Sequence, residues 1–187
     1  LLLALLHRAL MGPRRLEDVL DWWRDGRFPE GPIRDYLNRF RDRFFLFHPE
    51  APFFQVADLP EENPLPWSKL LPELASGNNP TLFDHTTEEN LPKATYAQAA
   101  RALLVHQAFA LGGLLRRFGV GSAKDAPAAR PALFLPTGGN LLETLLLNLV
   151  PYAPEEDAPI WEVPPLRLAD LEGGKTRWLL SGRTRVY

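Results

Sequence analysis

Cysteine is absent from the 187 residues, methionine occurs once and histidine four times. Without cysteine there is no disulfide bond and no metal site built on thiolates, and the absence is compatible with a reducing compartment. The histidines show neither an i, i+4 pair nor a His-x-His motif: His7, His48, His85 and His106. Because a metal site needs convergent ligands at set spacings, we expect no metal, no cofactor, and structural roles for His7 and His106.

Long apolar runs are also missing. The most apolar stretch, residues 1–10, is interrupted by His7 and Arg8 and is far shorter than the roughly 20 residues that span a bilayer. A signal peptide would carry its positive charge ahead of the apolar segment. We interpret the stretch as a buried helix of a fragment, since the chain starts without methionine.

Charge is nearly balanced overall, at −2, but it is unevenly distributed. Residues 1–100 carry 11 basic and 15 acidic side chains, whereas residues 101–187 carry 10 basic and 8 acidic ones. Two basic segments lie in the second half. Residues 175–187 contain no acid, and residues 113–131 contain one acid, Asp125, among Arg116, Arg117, Lys124 and Arg130. Such segments suit contact with phosphate, and they are equally common on solvated surfaces.

Apolar periodicity predicts a predominantly helical α+β fold in a single domain that covers residues 1–187. After the helix within residues 1–10, a second runs from Leu16 to Trp23, and a third begins near Pro32 and ends before residue 48. Two more helices, residues 96–111 and 141–150, follow capping signals formed by Thr95 with Gln98 and by Asn140 with Glu143. The last helix is apolar nearly all round, so we expect it to be central.

Strands are few and short in this prediction. Residues 53–56 and 132–135 are candidates, and a closing β-hairpin from Thr176 to Tyr187 reverses at Ser181-Gly182. Residues 49–94 and 113–131 lack a regular period, which predicts long irregular loops.

No motif establishes catalysis. Residues 173–176, Gly-Gly-Lys-Thr, end like a phosphate-binding loop, but Ala169 stands where the first glycine is required and no helix is predicted to follow. Asp84 and His85 could form the acid–base pair of a hydrolase, although neighbouring side chains in an extended loop point apart. Phenylalanines interleaved with arginines in residues 40–54 could stack on a single nucleic-acid strand, but helical spacing assigns half of them to the core.

Six segments resemble a known family in their order and spacing: residues 2–6, 44–55 (Phe-Phe-Leu-Phe-His-Pro-Glu-Ala-Pro-Phe-Phe-Gln), 69–77, 81–86, 99–109 and 140–149. Together they resemble the N-terminal domain of the CasA family, the large subunit of the type I-E CRISPR Cascade surveillance complex. Each segment is moderately specific, and the agreement of several across residues 1–165 carries the resemblance. The C-terminal helical bundle of the family would then be absent from this chain.

The resemblance implies a cytoplasmic, non-catalytic DNA-recognition subunit. In the family, this subunit helps recognise the short motif that flanks the target (the PAM), binds the target double-stranded DNA and receives the helicase-nuclease. It assembles with the other Cascade subunits near the 5′ handle of the crRNA. The resemblance implies no cofactor and no membrane contact.

Nucleic-acid-binding residues follow by motif match. The first loop of the family corresponds to Phe83, Asp84, His85 and Thr86 and is directed toward the crRNA handle. The glycine loop of the family approaches the flanking duplex and falls within residues 112–124, where Gly113, Gly119 or Gly121 could each hold the key position. Lys124 and Arg130 would contact phosphate. Such a module reads the minor groove through backbone groups and groove width.

Two other functions stay open on the sequence alone. One is a structural helical adaptor whose loops contact only protein partners. The other is a hydrolase that uses Asp84 and His85 together with a nucleophile from the distal half of the chain.

Overall fold

In a computed structural model, the described residues are 1–60, 64–71, 93–117, 120–152 and 158–171. They belong to two compact units. The first contains the described parts of Leu1–Phe53 and Leu133–Pro165, and the second contains those of Phe54–Ala132 together with residues 166–171. Helix is the main regular structure of the described residues, as the sequence predicts.

Six α-helices and one two-stranded sheet make up the regular structure of the described residues. The helices are α1 (Leu2–Leu10), α2 (Leu16–Asp25), α3 (Glu30–Arg39), α4 (Tyr96–Phe109), α5 (Leu141–Asn148) and α6 (Leu168–Leu171). Short 3₁₀ helices occupy Arg41–Phe44 and Trp67–Leu70. The strands β1 (Gly113–Arg117) and β2 (Val120–Ala123) pair antiparallel. No helix in these ranges is both long and apolar enough to cross a membrane.

The core of the first unit joins its helices. Leu6 of α1, Leu146 of α5 and Leu149 just after α5 are buried in one cluster. Partly buried side chains from α1, α2, α3, α5 and the segment between α2 and α3 pack around it: Leu3, Leu10, Val19, Trp22, Phe28, Ile33, Leu142 and Leu145. The residues spaced three or four apart on each helix thus bury one face, which is how amphipathic helices gain most of their stability.

Both predicted capping signals are confirmed. At the start of α4, the hydroxyl oxygen of Thr95 accepts the N–H of Gln98 at 3.2 Å, and the side-chain oxygen of Gln98 accepts the N–H of Thr95 at 2.8 Å. At the start of α5, the side-chain oxygen of Asn140 accepts the N–H of Glu143 at 2.9 Å. These bonds satisfy backbone donors that a helix leaves unpaired at its first turn.

A buried polar network attaches the segment after residue 158 to the helices of the first unit. The Arg8 guanidinium makes a two-point contact with the Glu162 carboxylate, with Nε 2.7 Å from Oε1, and the two side chains are 14% and 11% exposed. The Tyr36 hydroxyl donates to Glu162 at 2.5 Å and accepts from the Trp161 indole at 2.6 Å. The bond to Glu162 raises the pKa of Arg8, and burial raises the pKa of the Tyr36 hydroxyl.

His7 has the structural role that its apolar surroundings predict. Its ring is buried, with Nδ1 2.8 Å from the carbonyl oxygen of Leu3 and Nε2 3.2 Å from that of Val150. The ring therefore links α1 to the chain that follows α5. His106 lies on α4 and is half-buried.

The predicted strand at residues 53–56 is wrong. Phe54 has a φ of 54°, which is the left-handed region and not the extended region of a strand. The N–H of Phe53 turns back to the carbonyl oxygen of Phe45 at 3.0 Å, so the segment closes a compact turn.

The predicted strand at residues 132–135 is also wrong. This segment has no strand partner in the described part of the chain, and its apolar side chains face solvent, with Phe134 92% exposed. The predicted irregular loop at 113–131 instead contains β1 and β2. A glycine-rich sequence hides a strand period because glycine contributes no side chain to the alternation.

Several helix ends differ from the prediction. Helix α3 ends at Arg39 because Phe40, with a φ of −107°, leaves the helical region, and a 3₁₀ turn follows. Helix α4 ends at Phe109, since Ala110 is extended with a ψ of 134°. Helix α5 is less central than predicted, as Leu141 and Leu147 are 63% and 47% exposed. The predicted hairpin Thr176–Tyr187 lies outside the described residues.

Candidate nucleic-acid interface

The most distinctive feature of the second unit is a short β-hairpin that follows α4. Two residues, 118 and 119, link β1 to β2, and the pairs run from Gly113 opposite Ala123 to Arg117 opposite Val120. The register shifts between Leu114 and Arg117. Such an irregularity bends a hairpin and increases its twist. The hairpin lies within the predicted basic segment 113–131, whose sequence carries four basic residues and one acid.

The base of the hairpin is closed by Asp125. One carboxylate oxygen accepts the N–H of Gly112 at 2.6 Å, directly before β1, and the other accepts from the Arg130 guanidinium. We refer to these two contacts as the Asp125 clamp. Arg130 and the Gly112 N–H together lower the pKa of the Asp125 carboxyl, so this group is ionised at neutral pH and pairs with the Arg130 cation.

The chain that leaves the hairpin is bound to the end of α4. The N–H of Ala126 donates to the carbonyl oxygen of Ala110 at 2.8 Å, and the N–H of Ala128 donates to that of Ala108 at 2.9 Å. Both hairpin ends thus meet at the carboxyl end of α4, which fixes where the hairpin projects.

The predicted phosphate ligands occupy different settings. Lys124 is exposed directly after β2, and its ammonium group has no ion-pair partner in the described ranges. Arg130 is 76% exposed but is engaged by Asp125, which raises its pKa. Lys124 is therefore open to a phosphate, whereas Arg130 would have to share its guanidinium between Asp125 and a ligand.

The predicted glycines are also distinguished by the structure. Gly113 opens β1, is exposed, and a methyl group placed on it would meet no described atom within 4 Å. Its φ is not positive, so the fold itself does not demand glycine there. Gly121 lies within β2, and Gly119 lies outside the described residues.

The predicted first loop, Phe83, Asp84, His85 and Thr86, lies outside the described residues, as does the basic segment 175–187. The proximity of the loop Phe83–Thr86 to the glycine-bearing hairpin therefore stays a prediction. The same holds for a hydrolase site built on Asp84 and His85. Within the described ranges, no cluster of three His, Asp or Glu residues is arranged to hold a metal ion.

Sequence reasoning missed the role of Asp125. A single carboxylate inside an otherwise basic segment was a usable signal, because an isolated acid among four bases is expected to pair with one of them. Its second contact, to a backbone N–H 13 residues earlier, depends on the hairpin and has no sequence signature.

Comparison with known proteins identifies the class of this domain. The family model for CRISPR-associated protein Cse1 matches residues 1–187. The chain therefore belongs to the CRISPR-associated Cse1 family, which is also called CasA.

Individual relatives agree with this assignment. The chain is 89% identical over its whole length to CasA/Cse1 of Thermus thermophilus, and it spans 37% of that protein. The crystal structure of Thermus thermophilus CasA matches with a TM-score of 0.87 at 81% identity, over 100% of this chain and 36% of that one. Thermobifida fusca Cse1 matches with a TM-score of 0.76 at 31% identity, over 100% of this chain and 38% of that one.

Proposed function

We propose that this chain is the N-terminal part of a non-catalytic DNA-recognition subunit of a Cascade surveillance complex in the cytoplasm. It helps recognise the motif that flanks the target, binds target double-stranded DNA and contributes to recruitment of the helicase-nuclease. The observation that carries the DNA-reading role is the basic hairpin 113–123, which has a fixed base, an unhindered Gly113 and an exposed Lys124 next to it.

Backbone approach is the physical basis of the proposed recognition. A glycine without neighbours lets main-chain groups come close to a ligand surface that a larger side chain would hold away. The minor groove offers few base-specific groups. A protein segment that fits into the groove therefore recognises its width and depth more than its base sequence. Gly113 meets this requirement because no described atom lies within 4 Å of a methyl group placed on it and its φ is not positive. Gly119 and Gly121 are the other candidates for the same position.

Lys124 supplies the electrostatic part of the proposed interface, and Arg130 can add to it. An ammonium group that neutralises one phosphate releases counterions, so its contribution falls as salt rises. The loop Phe83–Thr86 is proposed to face the 5′ handle of the crRNA and the neighbouring Cascade subunits, as in the family it resembles.

Steric blocking of the hairpin tests the proposal. In the complete protein, assembled with its crRNA and partner subunits, Gly113→Leu would be compared with Ala97→Leu, which places the same leucine side chain at an exposed site in the first turn of α4. A mismatched base pair usually costs about 1–3 kcal/mol. We therefore expect Gly113→Leu to lower the affinity ratio between correct and altered flanking motifs roughly tenfold, and Ala97→Leu to leave it unchanged.

Charge removal tests the phosphate contact. Lys124→Ala would be compared with Lys93→Ala, an exposed lysine that precedes the capping residue of α4. The first variant should weaken binding to all duplexes and reduce the salt slope by about one phosphate contact, and the second should not. If Gly113→Leu leaves the discrimination between flanking motifs unchanged and Lys124→Ala leaves the salt slope unchanged, this hairpin does not recognise the flanking motif.

A structural adaptor is the second candidate, and one observation favours it. Leu133, Phe134 and Leu135 form an extended apolar segment whose side chains are 62%, 92% and 64% exposed. Exposed contiguous apolar surface commonly marks a protein contact. If Phe134→Ser weakened assembly of the complex while the hairpin variants left DNA binding unchanged, the adaptor function would be preferred.

A further inference from the structure

The hairpin β1–β2 is too short to be stable without contacts to the rest of the protein. A two-stranded hairpin alone is marginally stable in water. Strands rich in glycine also specify their register weakly. Here the strands contain five and four residues, and their pairing is already irregular between Leu114 and Arg117. A defined orientation of this hairpin must therefore come from contacts at its base.

The Asp125 clamp is the contact that spans this base. The strand ladder ends with Gly113 opposite Ala123, and the clamp is the first contact beyond that pair, ahead of the backbone bonds from Ala126 and Ala128 to the end of α4. The Asp125 carboxylate reaches across from the outgoing chain and accepts the N–H of Gly112 on the incoming chain at 2.6 Å. A bond between a carboxylate and a backbone N–H is charge-assisted and is stronger than one between neutral groups.

The clamp is itself fixed to a rigid element. Residues after Asp125 donate backbone bonds to Ala110 and Ala108 at the end of α4, at 2.8 and 2.9 Å. The Arg130 guanidinium engages the second carboxylate oxygen and so sets the orientation of the carboxylate plane. Two backbone bonds to the end of α4, the bond between Asp125 and Gly112, and one ion pair thus connect the helix, the carboxylate and Gly112.

We infer that Asp125 is a positioning residue, whose carboxylate holds the hairpin in the orientation that discriminates between flanking duplexes. This inference rests on the proposed function of the hairpin. Asp125 is not expected to touch the DNA itself, since a carboxylate beside phosphate would repel it. It acts through the backbone of Gly112 and, in consequence, through the neighbouring Gly113.

The two oxygens of Asp125 have separate partners, which permits a graded test. Asp125→Asn keeps an oxygen that can accept the Gly112 N–H but loses the ion pair with Arg130. Arg130→Ala also removes the ion pair and leaves the Gly112 bond. Asp125→Ala removes both contacts. Asp35→Asn, on the exposed surface of α3 in the first unit, makes the same charge change at a distant site.

Two measurements on the complete protein separate the clamp from its function. Hydrogen–deuterium exchange of the peptides that cover residues 110–123 reports the hairpin, and duplex binding by the assembled complex reports the affinity ratio between correct and altered flanking motifs. Asp125→Ala should accelerate exchange roughly tenfold, as expected for a lost charge-assisted bond, and should lower the affinity ratio. Asp125→Asn should retain most of both properties, Arg130→Ala should retain most of the exchange protection, and Asp35→Asn should retain all of both.

The outcomes distinguish the two claims. If Asp125→Ala leaves exchange of the hairpin unchanged, the positioning role is wrong, whatever the hairpin binds. If exchange accelerates but the affinity ratio is unchanged while Gly113→Leu lowers it, the orientation of the hairpin does not govern reading, and the inference is also overturned. If neither Asp125→Ala nor Gly113→Leu changes the ratio, the proposed function of this hairpin fails. Should Asp125→Ala not fold, equal ratios for Asp125→Asn and Asp125→Ser would contradict the inference, because the shorter serine cannot reach Gly112.

Discussion

The two units of the chain are held together by different means. The first unit buries large side chains, among them Leu6, Leu146 and Trp161, and surrounds them with a fully buried histidine and an Arg–Glu–Tyr network. In the second unit, the side chains that the structure describes as buried are Ala102 and Ser68, which are both small. Within that unit, the hairpin is joined to the end of α4 by backbone bonds and by the Asp125 clamp.

This difference separates stability from recognition. Segments that bind ligands are commonly drawn from the less stable part of a protein, because they must adjust to the ligand. The proposed DNA-reading hairpin lies in the unit with the smaller described core, and a few polar contacts hold its base. We therefore expect substitutions in the first unit to change the free energy of unfolding most, and substitutions around the hairpin to change recognition.

Removal of Glu162 should have the largest effect on stability. Glu162→Ala leaves the Arg8 guanidinium and the Tyr36 hydroxyl inside the first unit without their shared acceptor. Breaking a buried ion pair on one side costs about 3–5 kcal/mol, and the lower end of that range applies here because the two side chains are 14% and 11% exposed. The free energy of unfolding, measured by chemical denaturation, should fall by that amount. The control is Glu30→Ala, which removes an exposed pair with Arg34 and should cost about 0.3–0.5 kcal/mol. Equal losses in the two variants would contradict the difference between buried and exposed pairs.

Leu146→Ala should come next. Leu146 is 2% exposed and lies in the cluster that joins α1 and α5, so truncation removes apolar contacts and leaves a cavity. Such a change costs about 2–5 kcal/mol. Its neighbour Leu147 is 47% exposed, and Leu147→Ala should lower the free energy of unfolding by no more than about 0.5 kcal/mol. A large loss from Leu147→Ala would place it in a second core that the described residues lack.

The sequence predicted local features better than tertiary ones. The capping box at Thr95 and the side-chain cap at Asn140 were predictable because each involves residues three positions apart. The burial of His7 followed from its apolar neighbours on one helix. The strand at 53–56 failed because an apolar aromatic run does not reveal the left-handed backbone of Phe54. The predicted ends of α3 and α4 were wrong because the residues at which these helices end, Phe40 and Ala110, are neither proline nor glycine.

The candidate site divides in the same way. The basic character of residues 113–131 and the exposure of Lys124 could be predicted from composition and from a family resemblance. The hairpin and the contact of Asp125 with Gly112 could not, because they involve backbone groups and join residues as far apart as 10 and 13 positions. Because Arg130 is paired with Asp125, Arg130 is a weaker candidate for a phosphate ligand than the sequence predicts, and Lys124 is the stronger one.

Helix caps offer an equal test in both units. Asn140→Ala removes the cap of α5 in the first unit, and Thr95→Ala removes the cap of α4 in the second. Each change should lower stability by about 1 kcal/mol, because a cap satisfies local donors whatever the size of the core. Hydrogen exchange of each helix measures the two effects separately. A much larger loss of stability from Thr95→Ala than from Asn140→Ala would contradict this expectation. It would show that the second unit depends on local contacts for its stability more than the first unit does.

The smallest effect is expected at Ser68. Its side chain is fully buried, and its hydroxyl oxygen has no hydrogen-bond partner in the described structure. A buried polar group without a partner costs free energy, so Ser68→Ala should leave the free energy of unfolding unchanged or raise it by up to about 1 kcal/mol. Thr144→Val is the matched change in the first unit, where the hydroxyl accepts the N–H of Gly138 at 3.1 Å and donates to the carbonyl oxygen of Asn140 at 2.9 Å. Thr144→Val should lower the free energy of unfolding by about 0.5–1.5 kcal/mol. If Ser68→Ala destabilises the protein as much as Thr144→Val does, the Ser68 hydroxyl has a partner, and the polar groups of the second unit are as well satisfied as those of the first.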